Sequence, residues 1–251
     1  MTILKQMTRS RLAPVALGAL FAVAAAGCPG DRDEPAEPEA PSAEDEAPEE
    51  DPEEEAAAAE EEAPETAEAG KLAPPFTLPG ADGETYALED FRGQHVILEW
   101  INHDCPFVRK FYDVGEMQQL QATYTDPDGA GAAWLSIASS GPGQQGHETP
   151  ERWLELTEEK EAAPTAVLID EEGEVGQRYG ARTTPQMVVI DPEGVLIYNG
   201  AIDSISSRDS DDIEEADNYV EMVMDALLAG EEAPLSYSDP YGCSVHYGPA
   251  E

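Results

Sequence analysis

The stretch Glu99–Tyr112, EWINHDCPFVRKFY, decides the architecture. The apolar run HVILEWI (95–101) leads into it with the density of a strand covered on both faces. A cysteine and a proline follow. Pro106 suits the first turn of a helix, where its missing N–H would have no partner anyway. Phe107, Phe111, Val114 and Met117, then Leu120 and Tyr124, keep helical spacing, so residues 105–124 read as one helix. Cys105 therefore stands where a strand ends and a helix begins. Free N–H groups and the helix dipole there favour a thiolate, the nucleophilic form. A second cysteine three residues on would make a local C-x-x-C pair, but that position is Val108.

Outward from this stretch the pattern alternates strand and helix. FTLPGADGETYALEDF (76–91) reads as a hairpin turning at Ala81–Gly83. AAWLSIAS (132–139) is a second buried strand, followed by the glycine-rich loop SGPGQQGHE. Thr149 and Pro150 open a helix as N-cap and first helical residue. TAVLID (165–170) is a third strand and GEVGQRYG (173–180) a short helix. QMVVID (186–191) and VLIYNGAI (195–202) flank a turn at Pro192–Gly194 and form an antiparallel pair. IEEADNYVEMVMDALLAG (213–230) is a last amphipathic helix stopped by Gly230. The tail, residues 231–251, is rich in turn formers and reads as mobile. The sum is an α/β fold, a central mixed sheet flanked by helices on both faces with an N-terminal hairpin.

The first seventy residues are different material. Lys5, Arg9 and Arg11 precede LAPVALGALFAVAAA, an apolar run that reads as an export signal over residues 1–27. AAGC then ends at Cys28, which resembles a lipoprotein cleavage box with Cys28 as the lipidation site, although Ala25 stands where leucine is usual. Residues 31–70 hold 19 acidic residues and one basic residue, with no aromatic or β-branched apolar side chain. Such a segment cannot bury enough surface to offset the entropy of ordering it. Residues 28–70 thus read as a disordered acidic tether, and 71–251 as the folded domain. That domain keeps 35 of the 54 acidic and 9 of the 13 basic residues, a net charge of −26. Nucleic acid is excluded as a partner by this balance, and so is an anionic lipid surface. Export also permits disulfides to persist.

The strand ending in Glu99-Trp100, the Cys105-Pro106 helix start and the later Thr183-Thr184-Pro185 before an antiparallel strand pair resemble the thioredoxin fold. The N-terminal hairpin and the insertion near 140–161 resemble its redoxin branch, the alkyl hydroperoxide reductase and thiol-specific antioxidant family. That branch includes peroxiredoxins and the membrane-anchored thioredoxins of cytochrome maturation. NHDCPFVRK with a terminal PYGCSVHY also resembles exported bacterial redoxin-domain lipoproteins that carry a DCPFV motif. The resemblance implies a cis Thr184–Pro185 bond beside Cys105, and a substrate groove shaped by Pro106, Thr184 and Pro185. In that family the backbone before the cis-proline pairs with an incoming substrate strand. The spacing from Pro185 to Asp191 is that of the cytochrome-maturation proteins. Where peroxiredoxins place threonine and proline, three and seven residues before the cysteine, this chain has Asn102 and Leu98.

The expectation is an exported thiol-based oxidoreductase with Cys105 as attacking thiolate. Asn102, Arg109, Lys110 and Arg182 are candidates for tuning it. Cys243, the only other cysteine of the domain, is the candidate resolving thiol, with a lasting structural disulfide as the alternative. Partners are then a protein thiol or disulfide, or a peroxide, together with an external thiol reductant and a membrane reached through Cys28. No cofactor is implied. Two readings from other classes stand beside this one. His103, Cys105, Cys243 and His246 could form a soft N/S site for copper or zinc. A redox-inactive binding module is the other.

Overall fold

The computed structural model describes residues 66–249. Signal, Cys28 and most of the tether lie outside the described residues. Ala67 N–H donates to the Arg178 carbonyl and Gly70 N–H to that of Leu196, so the packed chain already includes residues ahead of 71. Among the described residues no helix is long and apolar enough to cross a membrane.

The core is a five-stranded sheet in the order β5-β4-β3-β7-β8. Strand β3 (Val96–Trp100) lies at its centre. It pairs in parallel with β4 (Ala133–Ala138) and antiparallel with β7 (Gln186–Ile190). Strand β5 (Ala166–Ile169) extends the parallel side, and β8 (Leu196–Gly200) the antiparallel side. All five residues of β3 are buried because both faces of the sheet are covered. Alternation along the strand sends Val96, Leu98 and Trp100 to one face and Ile97 to the other. The first face is closed by the hairpin of β1 (Thr77–Pro79) and β2 (Thr85–Ala87), a 3-10 turn at Leu88–Phe91, and helix α4 (Glu174–Arg178). The second is closed by α1 (Pro106–Tyr112), α2 (Glu116–Thr125), α3 (Pro150–Glu159) and α5 (Tyr219–Leu228).

Thr149 does cap α3, its side chain accepting from Arg152 N–H, with Pro150 at the first position. Two expectations are corrected. The helix expected over 105–124 breaks at Asp113–Gly115, because Gly115 adopts a left-handed φ of 86°. Val114, expected on the buried face, is exposed as a result. The last helix starts late, at Tyr219, behind the N-cap Asn218, whose side chain accepts from Val220 and Glu221 N–H, with a separate 3-10 turn at Ser210–Glu215 before it. Asn and Asp side chains compete for backbone N–H groups and so end one element and begin another.

The tail is the largest departure from expectation. Between Ser236 and Tyr247 it is held by hydrogen bonds to the rest of the domain. Asn199 N–H donates to the Ser236 carbonyl, and Ser238 Oγ accepts from Ala201 N–H. The tail then crosses to the short strand β6 (Thr183–Thr184), where β9 (Cys243–Ser244) pairs antiparallel with it.

Candidate active site

Strand β3 ends at Trp100, and Asn102–Asp104 turn the chain into α1. The Asn102 carbonyl accepts from Cys105 N–H and its side-chain oxygen from Asp104 N–H, which fixes the turn. Cys105 is the N-cap residue of α1, and its side chain makes no capping hydrogen bond. The sulfur lies instead 3.1 Å from the Thr184 carbonyl oxygen. The Thr184–Pro185 peptide is cis.

Cys105 and Cys243 are joined as a disulfide, with Cα atoms 5.8 Å apart across 138 residues of sequence. That separation lies inside the range two cysteines can bridge without backbone movement. Cys105 is fully buried and Cys243 only partly so.

Two tyrosines hold Cys243 in place, one on each side. Tyr241 lies edge-to-face with Phe107 of α1, ring centroids 5.8 Å apart, and its hydroxyl donates to Asp203 Oδ1. Asp203 is buried, and its other oxygen accepts from Lys110 Nζ at 3.0 Å, both side chains being almost wholly out of solvent. Tyr247 donates to the Ala181 carbonyl, and its ring lies against Gly173 and Gly176, where an added Cβ would collide with it. Val245 N–H donates to the Arg182 carbonyl, and Gly141 N–H to that of His246. Gly242 adopts a φ of 143°, and a Cβ there would lie 2.0 Å from the Thr184 carbonyl oxygen. Only glycine permits the tail backbone to lie so close to β6.

Asn102 is buried, its amide nitrogen donating to the Gln145 carbonyl, so it braces the glycine-rich loop. Lys110, a candidate for tuning the thiolate, is buried in an ion pair with Asp203. A buried ammonium requires a paired carboxylate, and Asp203 supplies one. Arg109 pairs on the surface with Asp113. Arg182 serves the tail through its backbone carbonyl, while its exposed guanidinium donates to Tyr237 Oη. The alternative metal set does not assemble. The two sulfurs bond each other, and His103 is packed between Tyr112 and Trp153. Among the described residues no three side chains of metal-ligating type converge. Burial pushes the His103 imidazole down to about 4.

Sequence reasoning passed over Glu99, although a carboxylate inside HVILEWI is itself a signal. It is fully buried and accepts from Trp134 Nε1 at 2.8 Å, Ser136 Oγ at 3.0 Å and Tyr112 Oη at 3.0 Å. Burial outweighs these hydrogen bonds and raises its carboxyl to about 7. Tyr241, Tyr247 and Asp203 were also passed over. The aromatic residues on both sides of GC in PYGCSVHY were the available sign. A concave patch of about 530 Å³ between β1, β5 and α4 shares no lining residue with the cysteine site.

A family model described as the AhpC/TSA family matches residues 69–199. No curated protein matches the chain. Among solved structures, an uncharacterized conserved protein from Geobacillus kaustophilus is 28% identical, with a TM-score of 0.60, over 73% of this chain and 94% of that one. A hypothetical protein from Sinorhizobium meliloti 1021 is 23% identical, with a TM-score of 0.59, over 72% of this chain and 96% of that one. The thioredoxin domain of a thiol-disulfide oxidoreductase from Bacteroides vulgatus is 20% identical, with a TM-score of 0.42, over 60% of this chain and 98% of that one.

Proposed function

The chain belongs to the AhpC/TSA redoxin family, and from that premise we propose that it is an exported thiol–disulfide oxidoreductase in which Cys105 attacks and Cys243 resolves. The observation that carries this reading is the disulfide between Cys105, at the start of α1, and Cys243, laid along the strand beside the cis-proline. The missing C-x-x-C partner is replaced by a cysteine 138 residues away.

The cycle starts from the disulfide. A thiolate of an external dithiol attacks Sγ of Cys243, the less buried cysteine of the pair. The Cys105–Cys243 bond breaks and Cys105 leaves as a thiolate. The second thiolate of the dithiol then closes its own disulfide and frees Cys243, which takes a proton from solvent. Two electrons have entered the protein. The Cys105 thiolate next attacks one sulfur of a substrate disulfide, and the other leaves as a thiolate and is protonated. Cys243 loses its proton and attacks Sγ of Cys105. The original disulfide re-forms and the substrate departs with both sulfurs reduced. Peroxide is the second substrate class of the family. Asn102 stands at the peroxidatic threonine position with its amide directed to the Gln145 carbonyl, which favours disulfides over peroxide here.

Export is part of the proposal. It rests on the basic-then-apolar start of the chain and on Cys28 at its end, followed by the acidic tether of residues 28–70 and the domain of 71–251.

The test is a trapping experiment on the reduced full chain. With a peptide disulfide, Cys243→Ser is expected to stop at a mixed disulfide on Cys105, visible by intact mass, while Cys105→Ser forms none. Hydrogen peroxide is expected to oxidise the reduced protein more slowly than the peptide disulfide does. A Cys243→Ser protein that turns over as fast as the parent would remove the resolving role. Faster oxidation by peroxide would reassign the substrate class.

A further inference from the structure

The tail is seated as an added strand, and its side chains fill two built pockets. We propose that the groove along β6 is a recognition site for an extended cysteine-bearing peptide of one pattern. That pattern has tyrosine two residues before the cysteine, glycine immediately before it and tyrosine four residues after, and the tail segment Tyr241–Tyr247 is its resident occupant. This rests on the thiol–disulfide reading above and names its substrate class.

Each position of the pattern comes from a contact. Strand addition at Thr183–Thr184 supplies backbone pairing that any extended peptide can make. The cysteine position is set by the sulfur of Cys105. At the preceding position a side chain would strike the Thr184 carbonyl, so only glycine fits. The pocket two residues before the cysteine offers the ring of Phe107 and the carboxylate of Asp203, which accepts a phenol hydroxyl. The buried Lys110 pairs with that carboxylate at 3.0 Å and holds it in place. The pocket four residues after has a floor of Gly173 and Gly176 and the Ala181 carbonyl as acceptor. An aromatic ring with a hydroxyl satisfies both pockets, and an aliphatic side chain would leave the Asp203 oxygen without the hydrogen bond Tyr241 makes.

Tail and substrate then compete for one groove. After the Cys105 thiolate has formed a mixed disulfide with the peptide cysteine, the tail must re-enter for Cys243 to attack Cys105. The peptide strand therefore lifts from β6 while still bonded to Cys105, Cys243 approaches Sγ of Cys105 in line with the peptide sulfur, and the peptide leaves as a thiolate while the tail takes back its pairing with β6.

The test uses the reduced full chain carrying Cys243→Ser and synthetic peptides DPYGCSVHYGP with thionitrobenzoate on the cysteine. Attack by Cys105 releases thionitrobenzoate, and the rate is read by absorbance. The parent peptide is expected to react about tenfold faster than one with both tyrosines replaced by alanine, as loss of an anchoring aromatic implies. Replacing the glycine before the cysteine by valine is expected to slow the reaction similarly. In the protein, Gly176→Ala is expected to remove the preference for the second tyrosine alone. Should that variant fail to fold, the peptide series still decides. Equal rates across the peptides, with bis-thionitrobenzoate reacting normally, would overturn the recognition site and leave the thiol reading intact. Failure of that small disulfide itself to react would remove the thiol reading and the recognition site with it.

Discussion

Glu99 shows how one buried group couples the core to pH. Its folded value, about 7, lies above the ordinary carboxylate value of 4.5, so the folded state holds the proton more tightly than the unfolded state. Stability from this group is therefore fully present below about 4.5 and is lost as pH rises through about 7. The span corresponds to a loss on the order of 3 kcal/mol. Glu99→Gln removes the titration while keeping the size of the side chain. Its stability relative to the parent is expected to improve from pH 5 to about pH 7 and to level off by pH 8 in thermal melts. A gap that stays constant over that range would show that Glu99 does not titrate there. Cys105 and Pro106 could be picked out from residue type and position alone. Glu99 could not be assigned an environment, because its donors Trp134, Ser136 and Tyr112 come from β4 and α1.

Among the elements, β9 is short in pairing and long in consequence. Two residues make its ladder with β6, so its position depends on the side chains around it. Tyr247→Ala removes a ring packed against Gly173 and Gly176 and one hydrogen bond to the Ala181 carbonyl. Releasing the tail then costs roughly 1–2 kcal/mol less, and dithiothreitol is expected to reduce the disulfide about tenfold faster. Tyr241→Phe keeps the ring against Phe107 and loses only the bond to Asp203, so a smaller acceleration is expected. Unchanged reduction rates in both variants would show that the tail is held by the disulfide and backbone alone. The strands of the sheet were legible in their apolar runs, whereas β6 and β9, two residues each, carry no periodicity to read. The break between α1 and α2 was legible only as Gly115, and a lone glycine does not by itself end a helix.

Taken together, the chain joins two kinds of material. The domain is folded around both faces of one sheet. The acidic stretch ahead of it has the composition of a tether, and Cys28 stands at the end of the proposed export signal. Labelled palmitate fed to cells making the full chain is expected to enter the protein, and Cys28→Ser is expected to abolish both the labelling and the recovery of the protein with membranes. Incorporation that survives Cys28→Ser, or none at all in the parent, would remove the anchor from the proposal. The folded domain would stand unchanged.

Apolar runs, helical spacing, a capping threonine and a cysteine-proline junction were sufficient to place the sheet, most helices and Cys105, because each depends on residues near one another in the chain. The partner of Cys105 could be named only as the one remaining cysteine of the domain. Its seat along β6 depended on contacts spanning more than half the domain: Tyr247 on α4, Tyr241 on Phe107 and Asp203, and glycine at 242 against Thr184. A turn-rich, polar tail reads as mobile when its own residues are weighed, since nothing local orders it. The surface that orders it is assembled from β6, α1 and α4, and exists only once the chain has folded.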